Sequence, residues 1–194
     1  MLENTDTLLA LAEIAAAFAG FAALVSVLRR DSKRRLNEVH DLLRLRLVIA
    51  GSVAGVAAAL IPVGLAGYGL APSVNWRIAA IAFLLFDYGI MLSFFRAYQP
   101  VRGGFPPDKL AVVVVTGLEV TEQLSLGAVV LGFGLGNPSA LYVTALIANI
   151  CQAGFIFVRF VGSAFTPADD GVHRIRSEDS GESPGNVAST RDNP

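Results

Sequence analysis

Residues 110–136 read LAVVVVTGLEVTEQLSLGAVVLGFGLG, and whether this stretch crosses a membrane decides the architecture. It is apolar at both ends and carries Glu119, Glu122 and Gln123 in its middle. On an insertion scale each acid at a helix centre costs about 2.5–3.5 kcal/mol, while each Leu or Val returns about 0.3–0.6. Two glutamates therefore nearly cancel the apolar gain, and taken alone the segment is marginal. Its neighbours settle the matter.

The chain has 194 residues, 54% of them hydrophobic and 16% charged, and its mean hydropathy of +0.58 lies outside the usual range of soluble domains. Five stretches reach the roughly 20 helical residues that a hydrocarbon core requires: about 7–29, 42–67, 76–97, 110–136 and 138–162. Each is continuous and lacks the apolar and polar alternation of a barrel strand, so helices are expected. The expected fold is an all-α, polytopic bundle of five transmembrane helices over residues 1–165. The Ser, Gly, Pro and Asp rich stretch 166–194 buries too little apolar surface to order itself and reads as a disordered tail.

Punctuation supports these limits. Asn137 before Pro138 reads as an N-cap with proline at the first helical position. Glycines and the Pro106, Pro107 pair stop the third span, and Asp108 is placed to cap the fourth. Pro62 is expected to kink or end the second span near its outer end. Tyr68, Trp76 and Tyr142 fall at one set of helix ends, with Phe95, Tyr98 and Phe105 at the other, where amphipathic aromatics meet the interface.

Charge gives the orientation. With five crossings, 14 of the 15 lysines and arginines gather on one side, in the first loop, the third loop and the C-terminal flank, and only Arg77 is left for the other. The positive-inside rule then places the N-terminus outside and the C-terminus in the cytoplasm. Were residues 110–136 not to cross, Arg159 and the basic residues after it would fall outside and the asymmetry would be lost. The first apolar run follows the acidic MLENTD and precedes its bases, so it reads as an anchor rather than a signal peptide. The basic run RRDSKRR at 29–35 suits anionic lipid, but a topology determinant accounts for it more simply.

Four carboxylates lie inside the spans: Glu13, Asp87, Glu119 and Glu122. Ionisable groups at such depth are expensive, so they are expected to face the bundle interior and to have partners. Glu119 and Glu122, three apart, share a helix face with Thr116 and Gln123; Tyr142, Asn149 and Gln152 share one on the fifth span. At about 1.5 Å of rise per residue, Asp87, Glu119, Ser52, Gln152, Glu122 and Asn149 fall in one layer roughly 13–20 Å from the basic side, with Glu13 nearer the other face. Gly51 and Gly55 form a G-x-x-x-G pair, and span one carries Ala15, Ala16, Ala17, Ala19 and Gly20; both read as sites of close packing within one chain.

Two functions suit this layer. A chain of protonatable acids with amides and hydroxyls passes protons or holds a cation in transit, which marks Glu119, Glu122, Asp87, Asn149, Gln152 and Glu13 as pathway candidates. Alternatively the acids bond across helices as polar glue, in a membrane scaffold, anchor or sensor subunit whose tail recruits a cytoplasmic partner. Four acids without an in-plane base favour the pathway: a small proton or cation channel or transporter subunit, homo-oligomeric, in a bacterial inner membrane.

Catalytic motifs are absent: no G-x-S-x-G, H-E-x-x-H, P-loop or dinucleotide fingerprint occurs. The lone Cys151 excludes an intrachain disulfide, and His40 and His173 have no neighbours at ligand spacing, so no metal site, cofactor or nucleic-acid partner is expected.

Overall fold

The computed structural model describes residues 4–28, 35–99, 109–133 and 137–165. The expected tail, Asp108 and Phe105 lie outside the described residues. The described residues form five helices: α1 (Thr5–Leu28), α2 (Arg35–Ala66), α3 (Pro72–Tyr98), α4 (Lys109–Leu131) and α5 (Pro138–Phe165). Each contains a stretch long and apolar enough to cross a membrane, and no strand occurs among the described residues. This is a multi-pass, all-α integral membrane protein.

The core follows stripes in which buried residues recur three and four apart. On α2 these are Leu45, Val48, Ser52, Gly55, Ala59 and Pro62; on α3, Trp76, Ala80, Phe83 and Asp87; on α5, Tyr142, Leu146, Asn149 and Ala153. Such spacing keeps one face of each helix turned toward its neighbours along its length. Large apolar side chains elsewhere, among them Val113, Leu124, Leu85 and Val158, are exposed and face the region that lipid fills.

Helix ends are built as local chemistry requires. Asn137 Oδ1 accepts the Ala140 backbone N–H at 3.1 Å, the expected N-cap of α5. Asn4 Nδ2 donates to Ser139 Oγ at 3.1 Å and ties the start of α1 to that of α5. α4 ends at Leu131, five residues before the limit expected for it. Gly132 adopts φ +71°, Phe133 N–H reaches back to Ala128 O and Gly132 N–H to Val129 O, the paired bonds of a Schellman motif. The guanidinium of Arg77 occupies the space that a Cβ on Gly132 would need. The lone base of this end thus sits at a helix C-terminus, where a positive charge is favoured.

Two expectations need correction. Of the two outcomes expected at Pro62, a kink or an end, the end does not occur, since α2 runs on to Ala66. Proline lacks an N–H, so the Ala58 carbonyl four residues earlier loses its helical partner. Tyr142 Oη supplies the replacement, donating to Ala58 O at 2.7 Å from α5, and Asn75 Nδ2 donates to Pro62 O at 3.0 Å from α3. Trp76 and Tyr142 are therefore not interfacial anchors; both are buried, with ring centroids 5.3 Å apart, while Tyr68 alone of that set is exposed. The second span lies at Leu42–Ala66, within a residue of the limits expected, and α2 extends back from it to Arg35.

The small residues act within the chain. A Cβ on Gly55 would lie 3.1 Å from Asn149 Oδ1 and 3.5 Å from Ala15 Cβ, so α2 meets α1 and α5 closely there. Gly51 has nothing within 4 Å of such a position, and of the small residues at 15–20 in α1 only Ala15 is buried.

Candidate functional site

The stripes lead to the site. Asp87 continues the buried face of α3 one turn beyond Phe83, Glu122 precedes Leu126 and Val129 on the buried face of α4, and Asn149 follows Leu146 on that of α5. Polar groups thus stand at positions that elsewhere in the same helices hold apolar side chains. One carboxylate oxygen from each of Asp87, Glu119 and Glu122 can be chosen so that all three lie within 4.8 Å of one another.

Amides organise two of these acids. Gln123 Nε2 donates to Glu119 Oε1 at 3.0 Å and also to Asp87 Oδ2, joining α4 to α3. Gln152 Nε2 donates to Glu119 Oε2 at 3.2 Å, joining α5 to α4. Glu119 therefore accepts an N–H on each oxygen. Glu122 is the contrast: it is fully buried, and neither of its oxygens has a hydrogen-bond partner. Asn149 is the amide nearest to it, and Asn149 Oδ1 is buried and unpartnered, as are Ser52 Oγ on α2 and, farther along α3, Asn75 Oδ1. Groups of this kind are uncommon, since a buried polar atom left unpaired costs about 1–3 kcal/mol.

Charge balance constrains the cluster. Two unit charges 4.8 Å apart repel by about 3.5 kcal/mol at an effective dielectric of about 20, and three ionised carboxylates make three such pairs. Arg46, the nearest base along α2, donates instead to Ser93 Oγ at 2.9 Å. The cluster accordingly needs protons or a bound cation.

A cavity of about 310 Å³ reaches it. Asp87, Thr116, Glu119, Asn149 and Gln152 supply the polar wall, and Leu47, Met91, Phe94, Phe95, Val115 and Ile156 carry it toward the basic end of the bundle. Glu122 stands behind this wall. Beyond it Phe83, Leu126, Tyr142 and Leu146 are all fully buried, and none of them lines this cavity.

Five of the six candidates from the sequence meet here: Glu119, Glu122, Asp87, Asn149 and Gln152. Glu13 does not, because it stands on the exposed face of α1. Tyr88, a possible cross-helix partner by position, is also exposed. Gln123 is a further member of the site. The sequence puts it beside the glutamates, but its role as the link between α3 and α4 depends on which helix packs there. No protein-family model matches the chain, and neither the curated proteins nor the solved structures contain a match.

Proposed function

We propose that this chain is a small proton or cation channel or transporter subunit in which Glu119 and Glu122 carry the moving charge. Asp87 shares it, and Gln123, Gln152 and Asn149 orient the carboxylates. The observation that carries this reading is the pairing of a fully buried, unpartnered Glu122 with a cavity whose wall is made by the two acids next to it. Glue alone would leave no reason to keep a carboxyl group without a bond, at depth, behind a polar access route. The basic end faces the cytoplasm in this reading, so the cavity is the cytoplasmic half of the path. The path lies within one chain, and a homo-oligomer would carry one cluster per subunit.

A scaffold or sensor remains the second reading, favoured by the Gln123 and Gln152 bonds, which tie three helices together as glue would. Purified protein in liposomes, given proton, potassium and sodium gradients in turn, separates the two. Flux that falls at least about tenfold in the Glu119→Gln, Glu122→Gln double variant, with assembly intact, supports the transport reading. Unchanged flux in that variant, or no flux by the folded wild type, overturns it.

A further inference from the structure

We infer that Asp87, Glu119 and Glu122 form a binding site for a hard divalent cation such as calcium. The inference rests on the transport reading and narrows its substrate class. Oxygens on opposite sides of calcium, each at about 2.3–2.6 Å, stand about 4.6–5.2 Å apart, and adjacent ones closer. The three carboxylate oxygens already lie within 4.8 Å of one another, so they stand at the spacing that such an ion asks of its ligands. The donors are all oxygen, which does not suit the soft metals that thiolates select.

Two independent observations point to a ligand. Both oxygens of Glu122 are buried and lack a donor, although the neighbouring Glu119 has an N–H on each. Asn149 is only 6% exposed, lines the same cavity as Asp87 and Glu119, and has an unpartnered Oδ1. The N–H bonds from Gln123 and Gln152 leave a second lone pair on each oxygen they engage, so these amides orient the ligands from outside, as outer partners do at metal sites. Water in the cavity completes the shell.

The valence follows from the donors: an ion of charge two gains more than a monovalent one from three acidic oxygens held within 4.8 Å of one another.

The test uses full-length protein in nanodiscs, titrated with manganese chloride while bound manganese is followed by electron paramagnetic resonance and released protons by a pH indicator in weak buffer. The expected result is one saturable site per chain, protons released on binding, and binding weakened more than about tenfold in both Glu122→Gln and Asp87→Asn, with Glu13→Gln unaffected. Calcium should compete with manganese for the site. No saturable binding, or the same binding in both cluster variants, which keep every acid of the C-terminal stretch, overturns the inference. Proton flux that depends on Glu119 and Glu122 without manganese binding overturns it too, while leaving the transport reading in place. Manganese binding lost in Glu122→Gln, with no flux under any gradient, supports the site and overturns transport.

Discussion

The two ends of the bundle use the same helices differently. Toward the end that carries Arg77, the stripes hold Trp76, Phe83, Leu126, Tyr142 and Leu146, all buried, and side chains tie helix to helix: Tyr142 to Ala58, Asn75 to Pro62 and Asn4 to Ser139, with Asn75 Oδ1 left buried and unpartnered. Toward the basic end the stripes turn polar at Asp87, Glu122 and Asn149, a cavity opens between α2, α3, α4 and α5, and buried oxygens go unpaired. Continuous spacing across both halves means that the helix packing does not change. What changes is that the basic half gathers three carboxyl groups beside a cavity, with both oxygens of Glu122 unpaired, and that is where a ligand or proton has a place.

Substitutions that break this comparison should differ in size. Phe83→Ala removes a ring packed on Tyr142 at 6.1 Å in the tight half. Lipid is as apolar as the lost ring, so the cost is the cavity rather than transfer to water. It should come to about 2 kcal/mol, below the 3–5 of soluble cores, read as a lowered thermal midpoint in detergent. Gly55→Ala forces a methyl against Asn149 Oδ1 and should cost about 1–3 kcal/mol, whereas Gly51→Ala, with open space beside it, should leave the midpoint unchanged. Tyr142→Phe leaves the Ala58 carbonyl without a donor and should cost about 1 kcal/mol by the same measurement, the upper part of the range for bonds between membrane helices. Glu13→Gln, on the exposed face of α1, should alter neither stability nor flux.

Much of this was readable from the sequence because membrane helices announce themselves by length and apolarity. The five spans, the Asn137–Pro138 start of α5 and the polar layer followed from local patterns alone. Facing was harder. α1 is apolar nearly all round, so periodicity could not say that Glu13 points outward while Ala15 packs against Gly55. Trp76 and Tyr142 occupy interfacial positions along their helices, and only the packing of α3 on α5 buries them. Pro62 looked like a terminator because the donor that rescues Ala58 comes from a residue 84 positions away. Gln123 likewise gains its meaning from α3, not from its own helix.

The claim that the cluster is a working site and not glue is tested most directly by Glu122→Gln alone, with flux in liposomes and thermal stability measured on the same preparation. Glu122 makes no hydrogen bond, so the account predicts that the amide variant keeps its thermal midpoint and loses its flux. A variant that keeps its flux and loses stability would contradict the account, because it would make Glu122 a structural tie and leave the cavity without the group it leads to.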